Sequence, residues 1–146
     1  MPPSWLLVAL QFALIAVIVV TTRRLGNPVS DAGAALALAA GSATGLAALA
    51  VNRPGNFNIR PELRLNAQLV TRGIYAYVRH PMYSALLLAL LGAIVADPRV
   101  WRIGAWIALL LVLLVKAARE ERYLQARFSD YAAYRERTRR LIPGVY

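Results

Sequence analysis

The sequence predicts an all-α, polytopic membrane protein with about four transmembrane helices and a helical C-terminal tail. Three observations carry this. Hydrophobic residues make up 59% of the 146-residue chain, yet its formal net charge is +10. A chain of this length normally makes one domain, and one so apolar and so basic must keep the two properties apart. The apolar residues do fall into long runs, with the 17 lysines and arginines between and after them, the pattern of a small polytopic membrane protein. Those arginines suit anionic headgroups better than nucleic acid. The chain has no cysteine and a single histidine, which excludes disulfides, thiolate chemistry and a histidine-rich metal site.

Trp5 to Thr22 is apolar except for Gln11, and its length is close to the roughly 20 residues that cross a hydrocarbon core. It is the first span, about 5–22. No basic residue precedes it and Thr21-Thr-Arg-Arg24 makes a poor cleavage site, which argues against a signal peptide. Gly26-Asn-Pro28 predicts a turn, and Ser30 or Asp31 a cap for the next helix. The second span, about 32–51, is rich in alanine. Within it Gly41-Ser-Ala-Thr-Gly45 is a small-xxx-small pattern that lets helix backbones approach closely, so packing on a neighbouring span is expected there.

Residues 52–72 form the longest polar connection, with Arg53-Pro-Gly-Asn56 as a turn and Ile59-Arg-Pro61 extended by its proline. Leu63, Leu65, Leu69 and Val70 are too scattered for a span. Two readings stand for them: a segment lying on the membrane surface over the active site, or a solvated loop.

The third span starts at Pro81 or Met82 and ends at Ala96, before Asp97-Pro98. At 1.5 Å per residue it reaches only ~24 Å. Either the hairpin is shallow or the helix borrows Tyr75 to His80; both keep that stretch near the headgroups. The fourth span, about 100–116, has Trp101 and Trp106 near one boundary and Lys116 at the other, as interfacial anchors would be. Its helix is expected to run on past the membrane through Glu120, Glu121, Leu124 and Phe128, into the tail 117–146. Ser129-Asp130 predicts the cap of a short helix carrying Tyr131 and Tyr134, ended by Pro143-Gly144. Tyr131, Tyr134 and Arg137 suit interfacial anchoring.

Of the basic residues, 13 lie in the connection between spans two and three or after span four, and 4 lie in the other two connections. The positive-inside rule puts the larger set, and with it both termini, in the cytoplasm. Arg23 and Arg24 argue the other way locally, and the total outweighs them. An inner or plasma membrane is the expected location.

The chain is organised around Arg72-Gly-Ile-Tyr-Ala-Tyr-Val-Arg-His-Pro-Met-Tyr-Ser84. Pro81 suits a first helical position, where its missing N–H is not needed. Helix N-termini favour anions, while Tyr75, Tyr77 and Tyr83 supply ring faces for cations and flat heterocycles. Gly73-Ile-Tyr75, Tyr77-Val-Arg-His-Pro-Met-Tyr83, Glu120-Glu121, Phe128-Ser-Asp-Tyr131 with Tyr134, and Arg140-Leu-Ile-Pro143 together resemble the isoprenylcysteine carboxyl methyltransferase and phospholipid methyltransferase group of membrane enzymes. The resemblance covers roughly the C-terminal half. It implies S-adenosylmethionine as cofactor, a lipophilic small molecule or lipid as acceptor, Arg79 and His80 as catalytic residues, and Tyr77, His80, Pro81, Tyr83, Glu120 and Glu121 as cofactor-binding residues, with no metal.

Read by spacing alone, Glu120 continues the stripe of Leu109, Leu113 and Ala117 and should face the protein, with Glu121 100° round the helix. A carboxylate there is partly desolvated and needs a partner. One alternative is an ion pair with Lys116 or a loop arginine; the resemblance implies instead a bond to the ribose hydroxyls or amino group of the cofactor. His80 likewise has a structural alternative, bonding to a loop carbonyl at a helix start, beside the implied contact with the cofactor's carboxylate. For Arg79, phosphate anchoring stands beside substrate binding. Two rival functions remain at this level: a membrane reductase of related fold using a nicotinamide cofactor, and a non-enzymatic membrane assembly subunit.

Overall fold

Among the described residues, four α-helices pack side by side and a fifth caps one end. They are α1 (Ser4–Val20), α2 (Pro28–Val51), α3 (Pro81–Ala96), α4 (Val100–Arg127) and the short α5 (Tyr131–Arg137), with a 3-10 turn at Gly73–Ala76. The computed structural model describes residues 3–22, 28–52, 56, 60–62 and 66–144. The expected turn at Gly26-Asn27, and most of those at Arg53-Pro-Gly and Ile59, lie outside the described residues, as do Leu63 and Leu65. Among the described residues there is no strand, only an isolated bridge between Val78 and Arg139.

The helix limits follow from local chemistry. α3 begins at Pro81 and ends at Ala96, as its proline and the following Asp97-Pro98 require. His80 stands just before it with a backbone that is neither helical nor extended (φ −122°, ψ 59°), and its carbonyl accepts from the N–H groups of Tyr83 and Ser84. The stretch from Tyr75 to His80 is therefore not borrowed into the helix. α2 starts four residues before Ala32, so Ser30 and Asp31 lie in its first turn rather than capping it; a proline at the helix start is what makes that possible. α1 stops at Val20, and the hydroxyls of Thr21 and Thr22 turn back onto the carbonyls of Val17 and Ile18.

Packing bears out the small-residue stripe. α2 and α3 form the most extensive helix pair. A Cβ on Gly41 would stand 2.6 Å from the Ala89 nitrogen and 2.7 Å from the Ala85 oxygen, so only glycine permits this approach. α1 packs chiefly on α4. The core where α1, α3 and α4 meet holds Ile18, Leu87, Leu90, Ile94, Leu109 and Leu113. Outward faces remain apolar: Leu10, Phe12, Leu36, Leu46, Ile107 and Leu111 are exposed, as suits a bundle surrounded by lipid. Residues Ser30–Val51 and Val100–Arg127 are each long and apolar enough to cross a membrane, while α1 and α3 are shorter apolar helices.

Two expectations about polar groups, at Lys116 and Trp106, need correction. Lys116 is no interfacial anchor: it is 1% exposed, donates to the Gln11 side chain and lies 5.6 Å from the centre of the Tyr83 ring. It faces inward because α4 turns that side towards α1 and α3. Arg102 is fully buried as well, donating to the Asp97 and Ile18 carbonyls and to Thr22 while pairing with the Asp97 carboxylate at 3.2 Å. Trp106 likewise bonds inward, from Nε1 to the Leu87 carbonyl at 3.0 Å.

α4 has 28 residues, about 42 Å at 1.5 Å each, against a ~30 Å hydrocarbon core. Its last two turns thus project beyond such a core and carry Glu120 and Glu121. The tail differs from expectation at its end. α5 stops at Arg137, before Pro143-Gly144, and Asp130 makes no side-chain cap bond. The reason is tertiary: the Arg79 and His80 N–H groups donate to the Arg139 and Arg140 carbonyls at 2.8 and 3.1 Å, and Arg139 N–H donates to the Tyr77 carbonyl. The chain leaves the helix to pair with the segment before α3.

Candidate active site

That backbone clip places the Arg79-His80-Pro81 stretch against the end of α4. It depends on Gly73, whose φ of +59° suits glycine and whose Cβ would lie 2.5 Å from a Val51 methyl. The turn it allows buries Tyr75, whose hydroxyl accepts from Asn52 Nδ2 at 3.1 Å. Tyr134 fixes the same turn from the other side, donating to the Tyr75 carbonyl at 2.7 Å. Neither Tyr134 nor Tyr131 is an interfacial anchor, since both are buried.

The two glutamates have separated tasks. Glu121 is the buried one, with its side chain 6% exposed against 32% for Glu120. Its Oε1 accepts from Arg79 Nε at 2.9 Å, from Arg140 Nε at 3.1 Å and from His80 Nε2 at 3.2 Å, and its Oε2 from Arg140 Nη2 at 2.7 Å. Burial alone would raise its ionisation, but the donations from His80, Arg140 and Arg79 outweigh burial and hold the carboxyl well below the usual range. The stripe that faces the protein thus runs through Leu113 and Ala117 to Glu121, not Glu120. The ion pair with a loop arginine exists, but on the other glutamate.

Glu120 instead borders a cavity of about 840 Å³. Its Oε2 accepts from the Tyr83 hydroxyl at 3.2 Å and lies 3.6 Å from His80 Nδ1. The Tyr83 and His80 rings stack nearly parallel, 5.3 Å apart. His80 is buried between two carboxylates, and among the described residues its ring bonds no loop carbonyl. Arg79 donates also to the Thr138 and Arg135 carbonyls at 2.6 and 3.1 Å, which ties it to the tail rather than to a headgroup.

The structure brings Arg79, His80, Pro81, Tyr83 and Glu120 to the cavity wall. Glu121 stands behind that wall, and Tyr77 is 68% exposed and away from it. Sequence reasoning missed Gln11, Asn52 and Asn56, which also border the cavity. Asn56 clasps the connection by exchanging bonds with the Gln68 backbone and reaching Asn52 Oδ1 at 2.8 Å. A polar residue interrupting or ending an apolar run was the available signal for Gln11 and Asn52. Leu69 and Val70 line the same cavity without forming a helix.

The phospholipid methyltransferase family matches residues 32–131, most of the chain, a range that holds Asn52, His80, Tyr83 and Glu120. The chain belongs to that family. As a phospholipid methyltransferase family member it is also 37% identical, over 84 residues, to the cobalt-zinc-cadmium resistance protein CzcN of Cupriavidus metallidurans. That match covers 56% of this chain and 38% of the relative's length. No solved structure matches.

Proposed function

We propose that the protein is an S-adenosylmethionine-dependent membrane methyltransferase acting on a small lipophilic or lipid-linked acceptor. One observation carries the reading: one cavity is bordered both by polar His80, Tyr83, Glu120 and Asn52 and by apolar Val8, Met82, Leu86 and Leu124. A water-soluble cofactor and a lipophilic acceptor need such a junction. Its volume lies in the range of ligand pockets.

The donor set fits the cofactor. When bound, S-adenosylmethionine would supply a sulfonium methyl whose carbon a nucleophile attacks in line, with the thioether sulfur leaving, so the protein has chiefly to align two partners and exclude water. Glu120 is suited to accept from ribose hydroxyls or an ammonium, and its charge favours a cation nearby. The stacked Tyr83 and His80 rings hold Glu120 in place from one side. Arg79 and His80, both spent on Glu121, set the shape of the wall. A carboxylate or thiolate acceptor needs no base, whereas an amine must lose a proton, and Glu120 is the wall carboxylate placed to take it.

The charge count supports a cytoplasmic polar end with both termini on that side of an inner or plasma membrane. A C-terminal reporter active only outside the cytoplasm refutes that orientation. For the chemistry, calorimetry on detergent-solubilised protein against S-adenosylhomocysteine and against a nicotinamide dinucleotide is the test. Binding of S-adenosylhomocysteine alone is expected. Binding of the dinucleotide alone favours a reductase, and binding of neither a non-enzymatic assembly subunit.

A further inference from the structure

Lys116 is buried on α4 and, among the described residues, makes one hydrogen bond, to the side chain of Gln11 on α1. Its ammonium also lies 5.6 Å from the centre of the Tyr83 ring on α3. The bond to Gln11 fixes the direction of an amide. An ammonium has only N–H donors, whereas a glutamine side chain has an accepting oxygen and a donating NH₂ group. The oxygen must be the atom turned to Lys116, so the amide nitrogen is turned away from it.

Gln11 is half-buried and borders the cavity, as does Val8 one turn earlier on α1. Its Nε2 has no hydrogen-bond partner among the described residues, yet it is not one of the polar atoms sealed away without one. The donor therefore keeps accessible surface, on a side chain that borders the cavity. Leu10 and Phe12 beside it are exposed, on an apolar helix, a place that a lipophilic molecule reaches more readily than a water-soluble one. Gln11 also lies outside residues 32–131, the stretch shared with the family, whereas Asn52, His80, Tyr83 and Glu120 lie within it. A group outside the shared stretch suits the acceptor rather than the common cofactor.

We propose that Gln11 is a specificity-determining residue for the methyl acceptor, its Nε2–H donating to a carboxylate or phosphate oxygen of the acceptor's polar head. Lys116 is the positioning residue that holds the amide in that direction from behind. The assignment rests on the methyltransferase reading and gives its acceptor a required feature, an oxygen that accepts a hydrogen bond beside α1.

Gln11→Glu separates the donor from the fold, because a carboxylate still accepts from Lys116 but offers the cavity an acceptor in place of an N–H. The test is calorimetry on detergent-solubilised protein holding S-adenosylhomocysteine, with laurate and dodecyl phosphate as probes. The wild type should bind at least one of them, which tells a carboxylate head from a phosphate. Gln11→Glu should bind that probe about tenfold more weakly, the scale of a hydrogen bond to a charged group. S-adenosylhomocysteine affinity should not change, and dodecyltrimethylammonium, which has no oxygen, should bind no more weakly. Lys116→Met lowers the net charge equally but leaves the amide to face either way, so about half the donors still meet the probe and the loss should be about twofold. Equal losses in the two variants overturn the assignment by reducing it to charge. Unchanged probe affinity in Gln11→Glu overturns it, and so does S-adenosylhomocysteine weakened as much as the probe. If Gln11→Glu fails to fold, Gln11→Leu combined with Lys116→Met removes both polar groups together and should lose the same probe affinity; retained affinity overturns the assignment. A wild type that binds S-adenosylhomocysteine but neither probe overturns this assignment alone. One that binds no S-adenosylhomocysteine sinks the methyltransferase reading, and the role of Gln11 with it.

Discussion

Replacing Glu121 by glutamine should damage stability far more than replacing Glu120, although the two are neighbours on one helix. Glu121 is nine-tenths buried or more and accepts four bonds, from Arg79, Arg140 twice and His80. Glutamine keeps the shape but removes the charge, leaving two guanidinium groups and the imidazole facing an amide that can accept at one oxygen only. Removing one partner of a buried, hydrogen-bonded ion pair costs about 3–5 kcal/mol, and the reasoning places Glu121→Gln at the lower end of that range because one acceptor survives. Glu120 has one bond, from Tyr83, and a third of its side chain is exposed; its replacement should cost under about 1 kcal/mol. Binding should show the opposite order. Glu120→Gln should weaken S-adenosylhomocysteine about tenfold, the loss of one charge-assisted bond, while Glu121→Gln should weaken it only as far as the wall distorts. Thermal unfolding and calorimetry on the same detergent-solubilised variants decide. Equal stability of the two variants would refute the division of labour drawn from their burial.

The same carboxyl predicts a pH dependence. Its ionisation in the folded protein lies below the unfolded value of about 4.5, so its contribution is fully present above that pH and lost as pH falls through the lower folded value; unfolding scans should show an acid limb that Glu121→Gln lacks. Gln11→Leu should leave the buried Lys116 ammonium without its acceptor, and Lys116→Met in that background should recover part of the loss. A double-mutant cycle should give a coupling of about 1 kcal/mol or more, and additivity would separate the pair. Gly73→Ala should destabilise by about 1–2 kcal/mol because its φ is positive and its Cβ meets Val51. Gly104→Ala, in open space within α4, should instead stabilise by roughly 0.5–1 kcal/mol; the opposite ranking in unfolding scans would refute the backbone argument.

Much of this protein is written in local features of its chain. The lengths of the apolar runs set where helices can exist, and Pro81 and Asp97-Pro98 set the limits of α3 to the residue. Gly41 announced close packing because a missing side chain has the same consequence wherever a neighbour lies. The continuation of α4 past Glu120 followed from unbroken helical composition. Each of these depends on a few consecutive residues, so sequence alone determined them.

The tertiary structure decided which way side chains face. Neighbouring residues on a helix point 100° apart, so a small error in the rotation of α4 exchanges Glu120 with Glu121 and turns Lys116 from an interfacial anchor into a buried partner of Gln11. The early end of α5 was equally hidden, because it arises from bonds between Arg79 and Arg139, distant in sequence. Glu121 draws donors from 42, 41 and 19 residues away, and such closure depends on how five helices pack together. Local sequence set the lengths of the elements and the chemistry they carry. Only the assembled bundle, through helix rotation and long-range pairing, settled which carboxylate braces the protein and which one faces the cavity.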